Sequence, residues 1–270
     1  MNAPNSHSQT VTIDPVRVEA MHAALARSGP PPCAGDPLPH FWHWSHFWEI
    51  AAKDALGRDG HPKRGGLIPD LGLPRRMWAG GALTFKAPLK IGAPATRATK
   101  VVDVVQKTGR TGPLAFVTLE HGISQDGRLC ITERQDLVYR EDPDPSAAAP
   151  TPKAAPKDEQ TRVPHTTTPT DLFRYSALTF NGHRIHYDAD YARDVEGYPG
   201  LITHGPLLAQ RLIELAEGEL GGLAAFSFRA VSPIFQFETF ETCARIDTDK
   251  LSLWVRGPDG RLAMTAEAHA

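Results

Sequence analysis

Apolar and polar positions alternate most clearly in two stretches of the chain. LAFVTLEHGISQ and RLCITERQDLVYR, within 114–140, alternate on either side of Asp126-Gly127. KLSLWV and RLAMTAEA, within 250–268, do the same around Asp259-Gly260. Period-two alternation broken by Asp-Gly predicts a β-hairpin in each place, and both turns end in DGRL. Upstream, GALTFKAPLKIG (81–92) and AFSFRAVSPIFQF (225–237) both read as a strand, a basic residue after phenylalanine, a proline and a further strand. Features recurring in the same order predict a duplicated antiparallel β unit; two unrelated hairpins sharing DGRL are the alternative.

The helical period appears once with full punctuation. Pro206 stands where a first-turn proline belongs, Leu208, Leu212, Leu215 and Ala216 follow at helical spacing, and Gly221-Gly222 ends the pattern. One helix and several long antiparallel strands predict an α+β fold with sheet wrapped on helix. The first half has no such helix at the matching point. Its stretch 57–81, rich in glycine and proline, reads as loop, and a helix is expected before it, around 40–57.

Between the halves, six prolines fall in 141–164, a stretch with no aromatic residue and only Val163 as a large aliphatic. Such a segment buries too little apolar surface to offset its ordering entropy, so 141–165 is expected to be an extended linker. It separates an N-terminal domain at 15–140 from a C-terminal domain at 166–270.

Composition narrows the function classes. The 270 residues are 41% hydrophobic and 22% charged, with 29 basic against 31 acidic groups and a formal net charge of −2. That balance argues against nucleic acid as a partner. No apolar run approaches the ~20 residues of a membrane span, and the first residues lack the pattern of a secretory signal. Cys33, Cys130 and Cys243 form no paired motif, so neither a disulfide framework nor a zinc site is indicated and the cytoplasm is expected. His40, His43 and His46 are interleaved with aromatic residues and read as packing or acyl-pocket positions; no metal is expected.

Candidate chemistry concentrates in YSALTFNGHRIHYDADYARDVEGYPGLITHGPLLAQ (175–210). It gathers Asn181, His183 and His186 and then sets His204-Gly205 at the start of the long helix. Histidine titrates near pH ~6.5 and suits general acid–base work. A helix N-terminus offers unpaired N–H groups to a developing oxyanion. Asn181-Gly182 also reads as a turn, His183 as a structural hydrogen-bonder, and Tyr187 and Asp188 as packing and capping residues.

These residues carry a resemblance. Thr179, Asn181, His183, Ile185 and His186 align with a motif like S/T-G-D-x-N-P-L/I-H of the MaoC-like, R-specific enoyl-CoA hydratases of the hot-dog fold. Asn181 stands at the Asp position, and Phe180 and Arg184 replace the usual Gly and Pro. FNGHRIHYD (180–188) with GYPGLITHGPLLA (197–209) resembles the two-domain hydratases that include 3-hydroxyacyl-thioester dehydratase type 2 and mesaconyl-C4-CoA hydratase; DGHP (59–62) and RRMWAGG (75–81) resemble their N-terminal half.

The resemblance implies a double hot-dog: two antiparallel sheets, one per repeat, wrapped on a central helix, with the N-terminal helix degenerate. It implies reversible hydration of an α,β-unsaturated acyl-CoA, with a short branched dicarboxylic thioester such as mesaconyl-C4-CoA favoured. A fatty-acyl dehydratase, a thioesterase and a non-catalytic acyl-CoA binder are the alternatives. His186 would activate water, the Gly205 N–H would receive the thioester oxygen, and Asn181 would orient water without taking its proton. His183, Arg184, Tyr187, His204, Arg229, Arg76 and Trp78 are the expected substrate-binding residues. Lys63, Arg64 and Arg75 are further candidates for the phosphates of coenzyme A. No cofactor is expected beyond the coenzyme A of the substrate. One chain already mimics a two-subunit dimer, and a homodimer of such chains stays open.

Overall fold

The computed structural model describes residues 6–63, 65–109, 112–142 and 151–270. Arg64 and the linker positions 143–150 lie outside them. In chain order the elements are β1 (Ser6–Thr12), α1 (Pro15–Ala24), β2 (Arg75–Phe85), β3 (Pro94–Gly109), β4 (Gly112–Gln125) and β5 (Arg128–Arg140). The second half follows with β6 (Thr161–Thr166), α2 (Pro169–Thr179), α3 (Ala189–Asp194), α4 (Gly205–Leu220), β7 (Ala225–Ala230), β8 (Thr239–Ile246), β9 (Leu251–Arg256) and β10 (Leu262–His269).

The order β1-β3-β4-β5-β2-β7-β10-β9-β8-β6 makes one antiparallel sheet of ten strands. Five strands from each half mirror one another about the β2–β7 seam, which is the expected duplication. The expectation of two sheets is corrected, because β2 and β7 pair directly from Gly80↔Arg229 to Thr84↔Ala225. Glycine makes that seam close: a Cβ at Gly80 would lie 2.5 Å from the Phe228 carbonyl oxygen.

Both predicted hairpins form, as β4–β5 and β9–β10. Asp126 and Gly127 both take positive φ (51° and 75°), the mirror-image turn that suits the strand twist. Helix α4 also forms where expected, with Gly221 ending it at φ 70°. It packs against β7–β10, and its Leu208, Leu212, Ile213 and Ala216 are buried with Phe226, Phe240, Leu253 and Val255.

Three boundaries move. β1 pairs with β3, so the N-terminal unit takes in Ser6–Thr12, ahead of the expected start at residue 15. The helix expected around 40–57 is instead two short 3-10 turns, Trp42–Ser45 and Lys53–Ala55, and the first half's long helix is α1. Phe41, Trp42 and Phe47 are buried in the core, and Phe41 touches Trp78 on β2 and Phe228 on β7. Aromatic bulk thus covers the face where the second half uses α4. Arg75–Gly81, read as loop, is the start of β2.

The linker is also shorter than 141–165. Ala155 is buried in a cluster with Cys243, Trp254 and Leu262, and β6 pairs with β8. Ala155 is small enough to pack with Trp254, while Glu159 joins Arg256. Pro164 is tolerated because β6 is an edge strand, whose outer N–H groups have no ladder partner. All three cysteines are free, and among the described residues no helix is long and apolar enough to cross a membrane.

Candidate active site

A cavity of about 1710 Å³ opens between the halves and is lined from both. Its C-terminal wall holds Asn181, His183, His186, Tyr187 and Gly205; its N-terminal wall includes Asp59, His61, Arg76 and Trp78.

Helix α2 delivers the first of these. Thr168 and Asp171 form a capping box at its start, and Phe180, at φ 52°, ends it in the left-handed region. The chain then turns sharply: Asn181 N–H donates to Ser176 O (2.8 Å), and Asn181 Oδ1 accepts from His183 N–H (3.0 Å). A 3-10 turn, Arg184–His186, follows and aims His186 inward.

His186 is 6% exposed. Its Nδ1 lies 2.7 Å from the Ile202 carbonyl oxygen, an acceptor, so Nδ1 carries the proton and Nε2 keeps a lone pair. Burial pushes its pKa down to about 4, so the ring stays neutral at pH 7. Gly205 opens α4 beside it, and a Cβ there would meet nothing within 4 Å. The protein leaves that room empty, beside N–H groups of the first helical turn.

His204 does not line the cavity. It is fully buried, stacked under His186 with ring centroids 3.6 Å apart, and its Nε2 pairs with Ser176 Oγ at 2.8 Å. Its expected substrate contact is therefore corrected to a support for His186. Arg184 is likewise a brace: it pairs with Asp188 (2.8 Å), lies over Tyr191 and donates to Arg58 O. Arg229 is exposed at the seam, away from the cavity lining. Arg75 is buried and joined to Glu196 and the Tyr198 hydroxyl. Arg76, Trp78, His183 and Tyr187 do line the cavity, and Tyr187 Oη–H donates to Gly182 O (2.9 Å).

The sequence reading missed Asp59 and His61. Asp59 Oδ1 accepts from His61 N–H (3.1 Å) and Oδ2 lies 3.2 Å from His61 Nδ1. Burial opposes ionisation of Asp59, yet the side-chain and backbone hydrogen bonds it accepts from His61 hold its carboxyl below the usual range. Burial also lowers the His61 pKa, and that of His183 far more. The His61 and His183 rings are 4.4 Å apart, and His183 is 5.5 Å from His186. One ligand atom each from Asp59, His61 and His183 lie within 4.8 Å of one another, the one such group of metal-binding types found among the described residues. His40, His43 and His46 share no centre, since they bond to Glu217, Glu133 and the Asp14 N–H in turn.

A signal for Asp59 was present in the chain. Leu56-Gly-Arg-Asp-Gly-His61 parallels Leu178-Thr-Phe-Asn-Gly-His183, and both loops make the same Asx turn. They interlock at their glycines: a Cβ on Gly60 would lie 2.0 Å from Gly182 O, and one on Gly182 would lie 2.7 Å from Gly60 O. Gly60 also sits at φ 87°. Gly60→Val is therefore expected to cost about 1–3 kcal/mol from backbone strain alone, before any clash. A thermal melt should show a lowered Tm, and an unchanged Tm would mean the loops do not interlock.

Comparisons with known proteins give the chain a family and a fold. A family model for hydroxyacyl-thioester dehydratase type 2 matches residues 41–236. The chain is 49% identical over 252 residues to the mesaconyl-C(4)-CoA hydratase of Chloroflexus aurantiacus, covering 90% of this chain and 89% of that protein. It is 27% identical over 241 residues to the mitochondrial hydroxyacyl-thioester dehydratase type 2 of Schizosaccharomyces pombe, covering 79% of each. A solved MaoC-like dehydratase from Phytophthora capsici superposes with a TM-score of 0.72 at 14% identity, covering 98% of this chain and 95% of that one. A Mycobacterium tuberculosis protein described as a double hotdog gives 0.60 at 12%, covering 99% and 96%. At such identities the structural likeness shows the fold, and the fold is the double hot-dog.

Proposed function

Because the chain belongs to the hydroxyacyl-thioester dehydratase type 2 family, we propose that it is a hydro-lyase for the reversible hydration of an α,β-unsaturated acyl-CoA. Mesaconyl-C4-CoA, or a similar short branched dicarboxylic thioester, is its favoured substrate. The observation that carries the reaction type is the buried, neutral His186, whose free Nε2 sits beside the open N-terminus of α4. His186 takes a proton from water as its oxygen adds to Cβ. The Gly205 N–H stabilises the negative charge that moves onto the thioester oxygen. Arg76 and Trp78, opposite, contact the acyl group. Coenzyme A belongs to the substrate, and the chemistry needs no cofactor. Unpaired cysteines suit the cytoplasm, although the yeast relatives are mitochondrial.

The cavity wall supports a short polar acyl group over a fatty one. Arg97, 8% exposed, lines it together with Thr99, His121 and Gln135. Its Nε has no hydrogen-bond partner, and its Nη2 reaches only Gln9 Oε1, at 3.4 Å. The guanidinium lies over the Trp44 and Phe47 rings, and a substrate carboxylate or its water would fill N–H donors that a long alkyl chain would leave unmet.

One observation favours a second reading. A thioesterase needs a carboxylate near the carbonyl, and Asp59 is in the cavity. The two are separated by incubating the purified chain with mesaconyl-C4-CoA. Hydration gives a product heavier by one water and no free thiol; thiol release without that product would assign a thioesterase.

Asn181→Asp is expected to keep or raise kcat/KM. Aspartate can still accept the His183 N–H and adds a second acceptor for water. A folded variant slowed roughly tenfold would show that the amide donates a needed hydrogen bond.

A further inference from the structure

Hydration by His186 leaves one requirement unmet. The attacking water gives one proton to Nε2, and its other O–H must also be held if the oxygen lone pair is to point at Cβ. Asn181 has one Oδ1 lone pair engaged by the His183 N–H, which leaves it a single further acceptor site for water. His61 has what is needed. Its Nδ1–H donates to Asp59, so its Nε2 is an acceptor, and it lines the same cavity in ring contact with His183. The interlocked glycines hold the loop of Asp59 and His61 against the loop of Asn181 and His183, and Arg184 N–H donates to Asp59 O at 2.9 Å.

We propose that His61, fixed by Asp59 and contributed by the N-terminal half, is a second catalytic residue that holds the water which His186 deprotonates. The proposal rests on the hydratase reading. In the step, one water O–H bond breaks and its proton goes to His186 Nε2. The oxygen pair forms the bond to Cβ, and the π pair moves into the thioester as an enolate. The proton on His186 then passes to Cα, which restores the carbonyl and the neutral ring. His61 accepts a hydrogen bond from the O–H that remains on the product and takes no proton. Asp59 is a positioning residue that keeps the ring in this tautomer. Each half of the duplicated chain thus supplies one Asx-turn loop to a single centre.

The test compares wild type, His61→Leu, His61→Gln and Asp59→Ala on mesaconyl-C4-CoA, with and without a chelator. For His61→Leu, kcat is expected to fall roughly tenfold or more with KM little changed. His61→Gln, which keeps an acceptor oxygen, should recover part of the rate. Asp59→Ala should lower kcat too, and imidazole nitrogen NMR should show His61 losing its single Nδ1–H tautomer. Full-rate His61→Leu, equal loss in the Leu and Gln variants, or activity removed by chelator and restored by zinc would each overturn the proposal. If His61→Leu does not fold, Asp59→Ala decides: an unchanged kcat or an unchanged tautomer overturns it. A wild type inactive on every enoyl-CoA would bring down the hydratase reading and this proposal together. An active wild type with a full-rate His61→Leu would bring down this proposal alone.

Discussion

His186→Ala is expected to lower kcat/KM for enoyl-thioester hydration by roughly a thousandfold, the middle of the range for loss of a general base. No neighbour can substitute. His204 is stacked beneath the ring and tied to Ser176, outside the cavity. His61 and His183 are ring neighbours of the site, but His61 is held to Asp59 and accepts a hydrogen bond from the water without taking its proton. The variant also frees the Ile202 carbonyl and opens a void over His204, so a loss of about 1–3 kcal/mol in stability accompanies it. Circular dichroism and a thermal melt show whether the fold persists, and stopped enoyl absorbance measures the rate. A folded variant with near-normal turnover would remove His186 from the mechanism.

Acid should unfold the protein well above the usual carboxylate range. His46 and His186 are almost wholly buried, and burial lowers both from the ordinary 6.5 to about 4. Below pH 6.5 the unfolded chain takes up protons that the folded chain refuses. Stability from these two groups is therefore complete above pH 6.5, falls as pH drops towards 4, and changes little below that. At pH 5 each costs about 2 kcal/mol, or roughly 4 together, against a total of about 5–15 for a typical protein. His61, His121, His183 and His204 shift in the same direction, again through burial first. Melts at pH 7 and pH 5 should differ by roughly 10 °C or more. A flat Tm across that interval would mean the buried histidines are charged in the folded state. While the fold lasts, kcat should stay level over the same range, because His186 remains a base.

Much of this was legible in the residues, for identifiable reasons. The hairpins were readable because alternation and Asp-Gly are local signals, and α4 because Pro206 and Gly221 punctuate a strong apolar period. The His186 motif was also contiguous. The edge strands β1 and β6 were not readable: SHSQTVT and TRVPHT are mostly exposed and so carry no alternation. Helices α1 and α2 left a local signal, Asp or Thr before proline, that went unused. The β2–β7 seam depends on pairing residues about 150 apart, which no local pattern records. Asp59 and His61 reach the site only because two glycines let distant loops interlock. Arg184, Arg229 and His204 were chosen for charge or adjacency to the motif, and neither says which way a side chain points.

The most direct test of the account is a substrate panel with the wild-type chain. Crotonyl-, longer enoyl-, mesaconyl-C4- and itaconyl-CoA would each be followed by loss of enoyl-thioester absorbance. Hydration is expected, with mesaconyl-C4-CoA giving the highest kcat/KM and longer alkyl chains disfavoured by the wall containing Arg97. Rates that climb with alkyl length would contradict the substrate reading, and no absorbance loss on any member would contradict the hydratase itself.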